Sequence, residues 1–153
     1  MCGPELKLSF ERYAEKDLAD LMEMVFGLYD EDPEGMPINE AKIIRTANAS
    51  LNNPDKVQIY MFRSGGANVG YGMLTFTWSN EYGGDVTNID EIYVKKEYRN
   101  RQAASSFFRH VLESDKNAVM FELEVTPGNK GALRLYKSLG FEASENMHMR
   151  RLA

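Results

Sequence analysis

A chain of 153 residues with 43% hydrophobic and 27% charged side chains reads as one ordinary globular domain, 1–153, long enough to bury about 70% of its unfolded surface. A net charge of −5 argues against a nucleic-acid footprint and favours cationic partners such as amines. The single cysteine, Cys2, allows no disulfide within the chain, and there is neither a long apolar run nor a charged-then-apolar leader, so a cytoplasmic protein with no membrane partner is expected.

Residues 6–13 alternate apolar and polar, as a half-buried strand does. Over 15–29, Leu18, Leu21, Met22, Val25, Phe26 and Tyr29 recur at helical spacing. The acidic loop 30–34 follows, and 39–51 reads as a second helix stopped by Asn52-Asn53-Pro54. Residues 57–63 and 69–78 read as strands joined by a Gly65-Gly66 hairpin turn, and Gly83-Gly84 leads into a strand at 87–94. A third helix is expected at 101–113, a strand at 119–125, a fourth helix at 129–138 and a last strand at 148–152. The order β-α-α-β-β-β-α-β-α-β gives an α/β (α+β) domain with a mixed sheet flanked by helices. Nine methionines read as adaptable core packing.

Two segments carry chemistry. In the first, a strand bearing Asp90 and Glu91 runs into a basic loop, Arg99-Asn100-Arg101, that opens a helix. Backbone N–H groups at such a helix start, approached by basic side chains, suit a phosphate. In the second, Tyr136 sits on the fourth helix as a candidate proton donor. Together they suggest a phosphate-bearing cofactor beside acid–base chemistry. Adjacent strand residues point to opposite faces, so at most one of Asp90 and Glu91 is expected to face a cleft. His110 and His148 have no ligand cluster around them and read as structural, with no metal.

The order and separation of these segments resemble the GNAT superfamily of acyl-CoA-dependent N-acyltransferases over most of the chain, most sharply over 71–141. The family's phosphate loop, Q/R-x-x-G-x-G/A, corresponds to Arg99-Asn100-Arg101-Gln102-Ala103-Ala104, with Gln102 in place of the central glycine. A second signature is matched by Asn129, Ala132, Leu135, Tyr136, Gly140 and Phe141. The Tyr98-Arg99 pair, the two acids before Ile92-Tyr93-Val94, and Tyr82 ahead of that strand look like the small-amine branch, which includes diamine and polyamine acetyltransferases.

The resemblance implies a single GNAT-like domain with a mostly antiparallel sheet, about four helices, and two splayed parallel strands ending near Val94 and Val125. Acetyl-CoA would lie in the splay, its pantetheine against the backbone of Ile92, Tyr93 and Val94. Its pyrophosphate would sit on the N–H groups of Arg101, Gln102, Ala103, Ala104 and Ser105, with Arg99 and Asn100 in the same loop. Gln102 either points to solvent or crowds the phosphate. Asn129 either orients a cofactor amide or a water, or caps its helix. Asp90 would take the amine proton and Tyr136 would protonate the departing thiolate, in a direct attack without an acyl-enzyme. The acceptor would be a small primary amine between the acidic loop and Trp78, Glu81 and Tyr82. A homodimer is an assembly common in the family. The rival reading is an acyl-CoA-binding module that has lost turnover, suggested by Gln102.

Overall fold

The apolar stripe of the first helical segment forms α1 (Leu18–Glu31), entered through a short 3-10 turn, Glu15–Asp17. Asp17 is buried and accepts from the Ala14 N–H at 3.0 Å, from Arg63 and from Asn68. These bonds tie the start of α1 to the sheet. The second helix, α2 (Glu40–Asn52), starts where Asn39 accepts the Lys42 N–H. The strands are β1 (Ser9–Arg12), β2 (Val57–Ser64), β3 (Ala67–Ser79), β4 (Gly84–Val94) and β5 (Ala118–Leu123); α3 (Ala103–Ser114) and α4 (Lys130–Ser138) follow β4 and β5. The computed structural model describes residues 3–32 and 35–153.

Among the described residues the sheet has the order β1-β2-β3-β4-β5. Neighbours are antiparallel except β4 and β5, which are parallel. Parallel strands need a crossover, and α3 supplies it. The mixed, mostly antiparallel α/β architecture expected from the sequence is therefore the one observed.

Each face of the sheet carries its own core. On one face α1 and α2 cover a cluster that includes Met24, Ile43, Ile59, Met61 and Tyr71. On the other, α3 and α4 cover Phe62, Val69, Leu74, Phe107 and Phe108. Gly72 of β3 lies directly under Phe107, whose ring occupies the space a Cβ would need. The missing side chain is thus what lets α3 settle on the sheet.

Two expectations fail. The first strand is shorter than 6–13: only Ser9–Arg12 pair with β2, while the Leu6 N–H is given to the Arg101 carbonyl. The expected strand at 148–152 has no regular secondary structure. Met147 and Met149 alternate as strand residues do, yet both are exposed. A strand exists only where its N–H and C=O groups meet a neighbour's, and among the described residues none pairs with this segment.

Gly72→Ala should destabilise the fold by about 1–3 kcal/mol, since Phe107 is fully buried and must shift to admit a methyl group. Urea denaturation measures it; a loss well under 1 kcal/mol would show that α3 can move aside freely.

Candidate active site

The site begins where two strands part. β4 and β5 pair from Asp85↔Ala118 to Ile89↔Leu123, and β4 then continues to Val94 without β5. On its other edge β4 stays paired to β3, but with a break in register: Met73 faces Glu91 while Leu74 faces Ile89. Asp90 is the extra residue of a β-bulge. The bulge falls one residue beyond the last β4–β5 pair.

This defeats the simple alternation expected for Asp90 and Glu91. Both carboxylates line the same two cavities on either side of the break. An extra residue resets the period-two pattern, so neighbours that would point oppositely now face one space. Asp90 shares a face with Asn88 and accepts from its amide at 3.3 Å. Ile92 does not share it; it packs with the core on the α3 side.

Glu91 is the more enclosed acid. Tyr29 of α1 donates to its Oε2 at 2.9 Å, and Tyr71 of β3 donates to its Oε1 at 2.8 Å. Burial raises the Glu91 pKa above the ordinary carboxylate value, while the two phenol bonds oppose that rise. Burial and the neighbouring carboxylate push Tyr29 up to about 12 and Tyr71 well above the usual phenol value. Both phenols are therefore held as donors near neutral pH. Asp90 keeps an exposed edge, yet desolvation in the cleft is the main cause raising its pKa. The Asn88 bond lowers it, Glu124 raises it and Arg150 lowers it.

Tyr136 of α4 faces the same chamber. It lines a cavity of about 570 Å³ with Asp90, Glu91, Tyr29, Glu124 and Arg150. Its ring is set edge-on against Phe108 at 5.2 Å and Phe141 at 6.2 Å. Burial raises its pKa, which keeps the hydroxyl protonated. Asn129, the candidate cofactor ligand, caps α4 by accepting the Ala132 N–H at 3.1 Å and lines none of these cavities.

A groove of about 610 Å³ adjoins the chamber through the shared walls of Leu28 and Ile92. It gathers Ile92, Tyr93, Val94, Arg99, Asn100, Gln102, Ala103, Ala104 and Ser105. Of the expected loop residues only Arg101 is missing: its Nε donates to the Pro4 carbonyl and its stem packs on Gly3. Arg99 lines the groove but is already engaged. Its Nε donates to the Val94 carbonyl, its Nη2 pairs with Glu31 at 2.7 Å, and its guanidinium lies over Tyr93. Arg99 thereby braces the end of β4 against the end of α1.

Gln102 has φ +62° and Asn100 φ +59°. This left-handed backbone is the physical reason for a glycine at the family's central loop position. Gln102 adopts the glycine-like conformation, its side chain is exposed, and its carbonyl accepts the Ser106 N–H at 2.9 Å. The N–H groups of Ala103, Ala104 and Ser105 precede that first helical bond and stay available to an anion. The small side chains of Ala103 and Ala104 leave the approach open. These features fit a pyrophosphate-bearing ligand.

The residues expected on the acceptor wall are not brought to the site. Trp78 and Tyr82 are 69% and 55% exposed, and Glu81 is exposed beside them at the β3–β4 turn. Trp78 pairs with Asp85, which stands about 17 Å along β4 from Asp90 at ~3.3 Å per residue. In the acidic loop, Glu31 and Asp32 reach the groove and the chamber, while Pro33 and Glu34 lie outside the described residues. Instead, a cavity of about 590 Å³ opens beyond the carboxylates, under α1 and α2, sharing Tyr29, Asp90 and Glu91 with the chamber. In the sequence Tyr29 falls on the first helical stripe and Tyr71 inside the strand expected at 69–78, with no role marked for either. Arg150 lay in the expected strand. No local spacing marks any of them as a neighbour of Glu91 or Asp90. Among the described residues no group of three or more metal-ligating side chains is clustered.

The profile of the Acetyltransferase (GNAT) family matches residues 18–141. A thialysine N-epsilon-acetyltransferase of Sus scrofa is 40% identical over 78 residues, covering 50% of this chain and 45% of that protein. The chain spans about half the length of the curated relatives it matches. Among solved structures, a possible acetyltransferase from Clostridium difficile 630 superposes with a TM-score of 0.82 at 25% identity, covering 97% of this chain and 99% of that one. An aminoglycoside N-acetyltransferase, AAC(6')-Iy, in complex with CoA superposes with a TM-score of 0.76 at 16% identity over 99% of each chain, a likeness of fold.

Two substitutions test this geometry. Tyr71→Phe should cost about 1.5–3 kcal/mol, because it removes a donor to a buried carboxylate. The bond favours the ionised form, so the loss should be largest above the raised Glu91 pKa and shrink as pH falls through it; a loss independent of pH in urea titrations would contradict the Tyr71–Glu91 bond. Gln102→Gly should stabilise by roughly 0.5–1 kcal/mol. Relief of the left-handed strain, about 1–2 kcal/mol, exceeds the entropic cost of glycine, about 0.5–1 kcal/mol. Thermal denaturation reads that sign directly.

Proposed function

The chain belongs to the acetyltransferase (GNAT) family, and from that premise we propose that it moves an acetyl group from acetyl-CoA to a primary amine by direct attack. One observation carries the reading. The bulge at Asp90 turns two carboxylates into a chamber that also holds Tyr136 and that opens onto a groove ending at a helix N-terminus.

Acetyl-CoA, when bound, supplies an activated thioester carbonyl. The backbone N–H groups of Ala103, Ala104 and Ser105 would hold its pyrophosphate, and the β4 edge from Ile92 to Val94, left unpaired by β5, would hold its pantetheine. Arg99 supports that groove by bracing its walls. The retained left-handed turn at Gln102 argues against a loop that has lost its binding shape.

Asp90 and Glu91 draw the acceptor's ammonium into the chamber. An alkylammonium has a pKa of ~10.4, so a base must take its proton before the nitrogen can attack. Asp90 is the base in this reading: Asn88 engages only its Oδ1, whereas both oxygens of Glu91 are occupied by phenols. Its raised pKa makes Asp90 a stronger base than an ordinary carboxylate. Tyr136, kept protonated by burial, gives its proton to the departing sulfur. Among the described residues none that lines the chamber carries a thiol, which suits direct transfer.

A thiol-release assay with acetyl-CoA over a panel of primary amines tests the activity; no release with any of them would reject it. Tyr136→Phe should lower kcat by about 10²–10⁴-fold while CoA affinity changes little. Asp90→Asn should depress turnover near neutral pH and recover as rising pH frees the amine. In the unsubstituted protein the carboxylate limb should lie above the ordinary Asp value of about 3.9, because desolvation favours the protonated form. Loss in Glu91→Gln but not in Asp90→Asn would reassign the base.

A further inference from the structure

The cavity beyond the carboxylates has two poles. Its inner wall is Asp90 and Glu91 on β4; its outer wall is the α2 stripe that carries Lys42 and Arg45. Lys42, Arg45, Thr46 and Ala49 are spaced i, i+3, i+4, i+7, so they form one stripe of that helix. Between the poles the floor is apolar, with Ile59 and Met73. Among the described residues neither Lys42 nor Arg45 forms a salt bridge. Lys42 donates one hydrogen bond, to the Pro37 carbonyl at 2.7 Å, and an ammonium has two more to give.

The spacing of the poles follows from the sheet. α2 packs on β2, and β4 lies two strands away across β3. At about 4.8 Å per strand that is a lateral separation of roughly 10 Å. An amine and a carboxylate on a chain of about five or six carbons, with a hydrogen bond at each end, fill such a span. A guanidinium fork beside an ammonium suits a carboxylate in particular.

We infer that the acceptor is an aliphatic amine bearing a carboxylate at its far end, held with its amine at Asp90 and Glu91 and its carboxylate at Lys42 and Arg45. This rests on the transferase reading for the fate of the amine. A diamine of equal length would bring its second ammonium against two cations across an apolar floor. The small-amine branch that the sequence resembles includes diamine and polyamine acetyltransferases, and the charge on α2 points away from those acceptors. Lys42 and Arg45 touch the substrate's distant end and take no part in proton transfer.

The test compares 6-aminohexanoate with 1,6-diaminohexane as acceptors for the unsubstituted protein and for a Lys42→Gln/Arg45→Gln double variant. Both residues are exposed, and circular dichroism checks that the variant is folded. For the unsubstituted protein kcat/KM should favour the amino acid by about ten- to a hundredfold, the range of a charge-assisted contact. The double variant should bring the ratio near one, mainly through KM, and Lys42→Arg/Arg45→Lys should restore it. A diamine preference in the unsubstituted protein, or an unchanged ratio in the double variant, overturns the inference. If no amine is turned over, the transferase reading fails, and calorimetry of 6-aminohexanoate decides the pocket by itself. Binding that disappears in the double variant supports it; absent or unaltered binding refutes it.

Discussion

The site depends on one interruption of the β-ladder. β4 loses its parallel partner after Ile89, and the next residue, Asp90, is the one that has no partner on β3 either. A strand released on one edge and bulged on the other can turn side chains and open its backbone in a way that a regular strand cannot. The parting of β4 from β5 makes the groove. The bulge aims the acids. Both occur within one residue of each other, so the groove and the two carboxylates meet at a common point.

Holding a carboxylate in such a place is costly unless its oxygens are satisfied. Glu91 is satisfied by two phenols from different elements, Tyr29 on α1 and Tyr71 on β3. The close approach of α1 to β4 is helped by Gly27, where a Cβ would strike the Tyr93 hydroxyl. Glu91 therefore has a double part. Its charge favours a cation in the chamber, and its hydrogen bonds fix α1 over the open end of the sheet. Asp90 has the freer carboxylate, which suits the proton transfer proposed for it.

The basic loop divides its labour differently from what its charges suggest. Arg99 and Arg101 read as phosphate ligands, but each is drawn to a carbonyl or carboxylate of the protein itself. The anion-binding capacity proposed for this loop would lie in the backbone at the start of α3, which needs a left-handed turn rather than a cation. Gln102 makes that turn without glycine. The arginines stabilise the frame that presents it.

The amino-acid sequence by itself determined the element order up to the fourth helix and the mixed sheet, and it marked the loop before α3 and Tyr136 as candidates. These are legible because helical and strand periodicity, glycine turns and caps are written in neighbouring residues. The α1 stripe and the Gly65-Gly66 hairpin are found where that local code puts them. Only the tertiary structure decided that Asp90 and Glu91 face the same space, that Trp78 and Tyr82 lie far from it, and that residues 148–152 form no strand. Each of those depends on a pairing between distant segments. A bulge is a mismatch of two strands, and a strand is a partnership between two; neither is a property of the residues that display it.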